Sequence, residues 1–294
     1  MIDKKQSEMN LFAFICSNEK PLELYFFIDP LCPDCFALEP VIKKMQFEYG
    51  HYFSLTYVLS GNISNLNNIN RKLIQPNQRN KYEKTIKRGQ ISCDDLEAKV
   101  NLSSPYIASI AVKAAELQGK RAGIRFLKKL QEYIYLKNEN IGKLEILIQC
   151  AEEALLDVEE FMRDIHSTST SHAFQCDLKI TNEMAVTETP TIVFFNNKIE
   201  EEGLKLSGVN TYEIYIEVMT EILGERPVSH PLPPLLKFVQ YNQFVSTRDI
   251  AFTYNLPHLQ VELEMKKLLL QQQVERIHTS YGTFWKYVGQ KKSF

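Results

Sequence analysis

Short apolar runs and longer amphipathic stretches alternate along the N-terminal part of the chain, which predicts alternating strands and helices. Residues 22–28 (LELYFFI) are rich in aromatic and branched side chains and predict a buried strand. Apolar residues at helical spacing over 36–49 predict a helix that ends at Gly50. Residues 51–59 predict a second strand. This order indicates an α/β fold.

The middle of the chain has a helical pattern. Residues 60–90 are rich first in asparagine and then in basic side chains, and we expect a surface excursion there with a helix of undefined limits. From residue 104 to about 181, apolar residues recur every three or four positions. Consecutive amphipathic helices must bury their apolar faces on one another or on a sheet. We therefore expect a helical insertion at about 62–182.

Strand patterns return after this insertion. Residues 191–195 (TIVFF) follow a Thr-Pro step directly and predict a buried strand, with residues 204–206 as its hairpin partner. A helix is expected over 211–223.

Four prolines between residues 226 and 234 indicate a linker. The predicted organisation is therefore a first domain at 1–224, a linker at 225–234 and a second domain at 235–294.

The predicted second domain has three helical segments followed by a hairpin pattern, which is the element order of a winged helix. The expected elements are helices near 235–241, 247–254 and 257–271 and strands near 274–277 and 283–288. From residue 225 onward, nine basic residues outnumber five acidic ones, which mildly favours phosphate contact. The third helix nevertheless carries Leu259, Glu262 and Glu264 where a recognition helix contacts base edges. A protein-docking or scaffold role is favoured over DNA binding.

Composition excludes several classes of protein. The chain has 294 residues, of which 44% are hydrophobic, and a net charge of −2. Wholesale disorder and charge-driven binding to nucleic acid or membranes are therefore not expected. Six cysteines are too few for a disulfide scaffold. No apolar run reaches the ~18 residues of a membrane span, and the apolar stretch 11–16 is short for a signal peptide. We expect a cytoplasmic protein without a membrane partner or a cofactor.

The candidate chemistry lies in Cys32-Pro33-Asp34-Cys35, between a predicted strand and a predicted helix. In that context a Cys-x-x-Cys pair indicates a thioredoxin-like redox site. Cys32 lies at the helix N-terminus, where unpaired N–H groups favour a thiolate, and Cys35 is the resolving thiol. Pro33 suits the first helical turn because it has no N–H group.

The second half of this site is the Thr189-Pro190 step before the predicted strand at 191–195. Thioredoxin-like folds place a cis proline there, facing the thiols. Asp34 adds a negative charge that disfavours ionisation of Cys32, so we expect a weaker oxidant than a protein with a Cys-Pro-His-Cys motif. Three interpretations stay open: an inherited scaffold with dispensable thiols, a redox switch, and an oxidoreductase.

For the remaining cysteines and histidines we expect no reactive or metal-binding role. Cys150 and Cys176 fall on apolar helix faces and are predicted to be buried. His166 and His172 have no obvious carboxylate or thiol partner, so no metal site is expected.

Residues 22–223 resemble the DsbA-like branch of the thioredoxin superfamily, which has a helical domain inserted before the cis-proline strand. A narrower resemblance, to the SpxH (YjbH) family, lies in the segments 21–25 (PLELY), 29–35 (DPLCPDC) and 38–44 (LEPVIKK). That family consists of cytoplasmic adaptors that deliver the transcription regulator Spx to the ClpXP protease, through its ClpX unfoldase. Its plan is a DsbA-like domain plus a small winged-helix-like domain, which covers nearly the whole chain.

The resemblance assigns the family's Cys-x-x-Cys to Cys32 and Cys35 and its Thr-Pro to Thr189 and Pro190. It assigns no partner-binding residues. Some family members have a histidine-rich, cysteine-containing N-terminal segment suited to zinc. This chain has Cys16 but no histidine before His51, and one thiol cannot form a four-ligand zinc site.

Overall fold

A computed structural model describes residues 20–61, 83–87, 106–198, 201–279 and 282–289. The chain divides into two compact units, and each is discontinuous in sequence. The first unit comprises residues 1–37 and 51–227, and the second comprises 38–50 and 228–294. The domain limits that the sequence predicts at residues 224 and 235 remain a prediction.

The first unit contains a five-stranded mixed sheet in the order β2-β1-β4-β5-β3. Strands β1 and β2 are parallel, and the other neighbouring pairs are antiparallel. Phe27, Val193 and Phe195 belong to one buried cluster, and the alternate residues Phe26, Ile192 and Phe194 are buried as well. Burial of both faces explains the near-continuous apolar runs of β1 and β4. The strands are β1 (Leu22–Ile28), β2 (Phe53–Leu59), β3 (Glu83–Lys87), β4 (Thr191–Asn196) and β5 (Glu202–Ser207).

Helices in the order that the sequence predicts accompany this sheet. Two of them begin at side-chain caps: Asp157 Oδ1 accepts the Glu160 N–H at 2.9 Å, and Ser167 Oγ accepts the Thr170 N–H at 3.1 Å. The helices are α1 (Pro33–Tyr49), α2 (Ile107–Leu117), α3 (Lys120–Tyr135), α4 (Leu144–Glu153), α5 (Val158–Asp164), α6 (Thr168–Glu183) and α7 (Tyr212–Leu223).

The segment 60–90 differs from its sequence-based interpretation. Residues 83–87 form β3, which pairs antiparallel with β5, where a helix of undefined limits was the expectation. Most of its side chains are polar, so the apolar pattern does not mark it as a strand. Backbone pairing at the end of the sheet requires no apolar face. Residues 62–82 and 88–105 lie outside the described residues.

The second unit contains three further helices and a three-stranded antiparallel sheet in the order β6-β8-β7. Its core includes Phe238, Val261, Met265 and Trp285, and the Trp285 indole N–H donates to Thr247 Oγ1 at 2.9 Å. The elements are α8 (Leu235–Asn242), β6 (Phe244–Ser246), α9 (Thr247–Tyr254), α10 (His258–Leu270), β7 (Val274–Thr279) and β8 (Gly282–Tyr287). The order agrees with the predicted helices and hairpin, and the winged-helix name stays a prediction.

Residues of α1 also contribute to the second unit. Phe47 packs against the core of that unit, with its ring centroid 5.1 Å from that of Phe238. Lys43 Nζ lies 3.0 Å from Asp249 Oδ2. A single helix therefore supplies residues to both compact units.

Candidate functional site

The two cysteines of the Cys-x-x-Cys motif lie where β1 leads into α1. Pro33 is the first helical residue, so Cys32 precedes the helix and Cys35 lies in its first turn. The Cys32 N–H donates to the Asp29 carbonyl at 3.0 Å, and the Phe36 N–H donates to the Cys32 carbonyl at 3.2 Å. These bonds close the turn between strand and helix. The backbone thus holds both thiols at the helix N-terminus.

The Thr189–Pro190 peptide bond is cis and lies beside the thiols. The Cys32 Sγ–H donates to the Thr189 carbonyl over 3.6 Å. A hydrogen bond from the Thr189 side chain also acts on Cys35. On the other side of the step, the Gly208 N–H donates to the Pro190 carbonyl at 2.7 Å, with Gly208 at a φ of 75°. Residues 157 positions apart in sequence are therefore brought together.

Both sulfur-bearing residues are largely closed to solvent, with exposed fractions of 4% for Cys32 and 2% for Cys35. Burial raises the pKa of the Cys35 thiol well above its usual value, and the neighbouring Cys32 raises it further. Cys35 is therefore a neutral thiol near pH 7. Pro33 is exposed and Asp34 is half-buried.

A buried carboxyl group, Asp29, lies at the end of β1. Burial raises its pKa from 3.8 to about 6, although the Leu31 N–H, which donates to Asp29 Oδ1 at 2.9 Å, acts in the opposite direction. A charged Cys32 raises this pKa further. Asp29 thus changes its charge close to neutral pH, next to the thiol pair. The sequence pattern assigned Asp29 no role of its own, although its position three residues before Cys32 was a usable signal.

The last residue of α3, Tyr135, packs against the first turn of α1. Its ring stacks on Phe36, with centroids 5.0 Å apart and planes at 21°. Its hydroxyl oxygen is buried and has no hydrogen-bond partner within the described part of the chain. No sequence signal pointed to this contact, because only tertiary packing brings the end of α3 to the first turn of α1.

The other predicted cysteines differ in burial. Cys150 is fully buried, as expected, and burial raises its pKa to about 12. Cys176 is partly exposed, contrary to its prediction, and its Sγ lies 3.9 Å from His172 Nδ1. The apolar positions of α6 alone did not reveal that Cys176 lies at the margin of the buried face.

The described residues offer neither a metal site nor a membrane span. Among the described residues, no group of three or more His, Cys, Asp or Glu side chains is arranged to hold a metal ion. Cys16 lies outside the described residues. No helix within the described ranges combines the length and apolar character needed to cross a membrane.

Known proteins similar to this chain include a thioredoxin family and several SpxH proteins. A family model described as thioredoxin matches residues 25–217. The ClpXP adapter protein SpxH of Bacillus cereus is 41% identical over 297 residues, which is 99% of each chain. The SpxH proteins of Bacillus subtilis and Bacillus licheniformis are 44% and 46% identical, with 91% and 92% of this chain and 90% of each relative covered.

Among solved structures, a putative protein disulfide isomerase from Nitrosomonas europaea superimposes with a TM-score of 0.51. The match covers 70% of this chain and 98% of that one, at 16% sequence identity. This similarity shows the fold alone, which is the DsbA-like thioredoxin fold that the sequence predicts.

Proposed function

The chain belongs to the SpxH family, and we propose that it is an adaptor that binds the transcription regulator Spx and promotes its degradation by the ClpXP protease. The observation that carries the proposal is the extent of the relationship, at 40% to 46% identity over 90% or more of each relative. The match therefore includes the second unit as well as the thioredoxin-like part. The proposal places the protein in the cytoplasm.

An adaptor acts through surfaces and tethering and needs no reactive group. By holding Spx close to the ClpX unfoldase, it raises the effective concentration of a poor substrate. Preferential stabilisation of part of Spx would also bias which segment unfolds first.

The state of the thiols supports a role that is not primarily enzymatic. Cys32 and Cys35 are both buried, and the pKa of Cys35 is raised by burial. A disulfide substrate reaches a buried sulfur poorly, which disfavours attack by Cys32. These properties fit an inherited scaffold better than an efficient oxidant.

Reconstituted proteolysis tests the adaptor proposal. Spx turnover by ClpXP is measured alone, with the full chain, and with the Cys32→Ala/Cys35→Ala double variant. The full chain and the double variant are expected to accelerate turnover equally, in reducing buffer and after mild oxidation. A matched single variant, Cys150→Ala, controls for the loss of any buried thiol. If the wild-type chain leaves Spx turnover unchanged, the adaptor proposal is wrong.

A second candidate function, thiol–disulfide exchange, is favoured by the 3.6 Å contact between Cys32 Sγ and the Thr189 carbonyl beside the cis proline. In that reaction the Cys32 thiolate attacks a substrate disulfide, and one substrate sulfur leaves as a thiolate. Cys35 then loses its proton and attacks the Cys32 sulfur. This releases the second substrate thiol and leaves a Cys32–Cys35 disulfide, so the substrate is reduced and the protein oxidised.

Trapping distinguishes this second function from the first. The Cys35→Ala variant would accumulate a mixed disulfide at Cys32, which non-reducing electrophoresis and peptide mass spectrometry detect. If thiol–disulfide exchange is the function, Cys32→Ala alone abolishes the effect of the protein on Spx turnover. If the protein is an adaptor, Cys32→Ala leaves that effect unchanged.

The surface of α10 supports a protein-docking or scaffold role for the second unit. Leu259, Leu263 and Leu270 are 74%, 52% and 84% exposed and share one helical face. The nearby carboxylates are paired within the unit: Glu262 lies 3.0 Å from Arg276, and Glu264 lies 2.6 Å from Lys267. Leucine side chains and carboxylates suit a phosphate backbone poorly.

A further inference from the structure

The exposed face of α10 presents a row of three leucines and one lysine. Leu259, Leu263 and Leu270 are more than half exposed, and Lys266 is exposed on the same face. Successive members of this row lie four, three and four residues apart, which is the spacing of the contact positions in paired helices. We call these four residues the leucine seam. Apolar residues exposed singly are ordinary, whereas a row along one helical face indicates an interaction site.

The folding of α10 does not require the leucine seam. Val261 and Met265, on the opposite face of the helix, are fully buried in the core of the second unit and already anchor α10 there. Leucine, lysine and glutamate have nearly equal helix propensities, so a charged residue at each exposed position would stabilise the helix equally well. The exposed leucines therefore indicate a contact made outside the unit.

The charges of α10 indicate the sign of the partner. Beside the leucine seam, Glu262 is paired with Arg276, and Lys267 is paired with Glu264. Lys266 lies within the seam, and it has no ion-pair partner within the described part of the chain. The flanking charges are thus compensated inside the unit, and the seam itself carries one uncompensated cation. A partner that covers the seam meets a positive charge among leucines.

We propose that the leucine seam binds an amphipathic helix of a partner protein, with apolar side chains three and four residues apart and a carboxylate opposite Lys266. Apolar side chains at this spacing pack between the leucines. The carboxylate compensates the lysine and fixes the register, while a basic residue at the same position is repelled. A second copy of this chain is a poorer occupant, because its own seam carries a lysine and no carboxylate. This inference rests on the adaptor proposal and supplies it with a contact surface.

Two fluorescently labelled helical peptides test this surface in the full chain. Both have leucines at the seam spacing, and they differ only at the central seam position, which is glutamate in the acidic peptide and lysine in the basic peptide. Fluorescence anisotropy at low salt measures their affinities. The full chain is expected to bind the acidic peptide about tenfold more tightly than the basic one. Leu263→Ala removes a central contact and is expected to weaken the binding of both peptides about tenfold.

Charge reversal identifies the residue that reads the peptide charge. Lys266→Glu is expected to invert the preference, so that the basic peptide binds more tightly than the acidic one. Lys237→Glu is the matched control, because it changes the net charge equally at an exposed lysine on another helix, α8. It should keep the wild-type preference. Both lysines are exposed, so neither substitution disturbs the core.

Competition connects this surface to the adaptor proposal. In reconstituted proteolysis, excess acidic peptide should abolish the acceleration of Spx turnover by the full chain and leave turnover by ClpXP alone unchanged. The docking surface is overturned if neither peptide binds, if Lys266→Glu does not invert the preference, or if bound acidic peptide leaves the acceleration intact. A full chain that does not accelerate Spx turnover without peptide contradicts the adaptor proposal instead, and the peptide preference then still decides whether the seam recognises an acidic helix.

Discussion

Lys113 Nζ lies 2.7 Å from Asp177 Oδ2, and this ion pair joins α2 to α6 in a nearly water-free environment. The same carboxylate oxygen accepts the Leu59 N–H at 2.7 Å, at the end of β2. Glu116 Oε2 also lies 2.7 Å from Lys113 Nζ. The buried Asp177 carboxylate therefore connects two helices and a strand end. One ammonium group thus faces two carboxylates.

Replacing Lys113 by Met is expected to lower the free energy of unfolding by about 3 kcal/mol, because it leaves the buried Asp177 without its cation. Urea unfolding followed by circular dichroism measures the change. Lys267→Met is the matched control, since its partner Glu264 is an exposed neighbour on α10 and such pairs contribute at most about 1 kcal/mol. Equal effects of the two substitutions would contradict a structural role for the buried pair.

Asp29→Asn is expected to stabilise the protein at pH 7. The folded-state pKa of Asp29 is about 6, above its ordinary value of 3.8, so the folded protein holds this proton more tightly than the unfolded chain does. Ionisation therefore weakens the fold progressively as pH rises from about 4 to 6, and the loss is complete above that range. The variant should gain about 3 kcal/mol at pH 7 and less than about 1 kcal/mol near pH 4.

Urea unfolding of both proteins at several pH values measures this difference. Asparagine retains an oxygen that can accept the Leu31 N–H, so local turn geometry is kept. Asp177, whose pKa is also raised to about 6, titrates in both proteins and cancels in the comparison. A gain that is the same at pH 4 and pH 7 would show that charge is not its cause.

Phe47→Ala is expected to destabilise the second unit by about 2 kcal/mol, since Phe47 is a partly buried ring that contacts Phe238 and Tyr241. Trp285 is the only tryptophan in the chain and is fully buried in this unit, so its fluorescence reports on unfolding there. Leu270→Ala removes an exposed side chain on α10 and should change stability little. An unchanged tryptophan transition in Phe47→Ala would contradict this packing.

Duplex DNA is not expected to retain the protein. The exposed face of α10 presents leucines, and its carboxylates are held in ion pairs. Electrophoretic mobility at low and high salt measures binding, because phosphate contacts weaken steeply as salt rises. Lys266→Glu should leave the result unchanged. Retention that salt abolishes, and that Lys266→Glu weakens, would instead support a DNA-binding second unit.

Most of the secondary structure follows from local pattern, and the exceptions have physical causes. Strand β1 and helix α9 have the limits that the sequence predicts, because apolar spacing and turn residues define them. Strand β6 has three residues and was missed, since a run so short carries no periodic pattern. Strand β3 was missed because its pairing depends on β5, more than a hundred residues away.

The candidate site also contains residues that local motifs locate and residues that only tertiary packing brings into place. The positions of Cys32, Cys35 and Thr189 follow from motifs beside strands and helices, and their role in redox chemistry stays a prediction. Asp29 stands close to Cys32 in sequence, but its raised pKa results from burial. No sequence pattern indicates that a single carboxyl group is buried. Tyr135 stacks on Phe36 only because the end of α3 packs against the first turn of α1, and that information is distributed over the whole helical region.

The discontinuity of the second unit has a consequence during biosynthesis. Phe47 leaves the ribosome long before its partner Phe238, by on the order of ten to forty seconds at ordinary elongation rates. Until then the nascent polypeptide exposes the Phe47 ring, because the residues that pack on it have not yet been synthesised. A transcript or reading-frame error that stops translation in this interval would yield a product with that side chain uncovered, and cellular quality control recognises such surfaces.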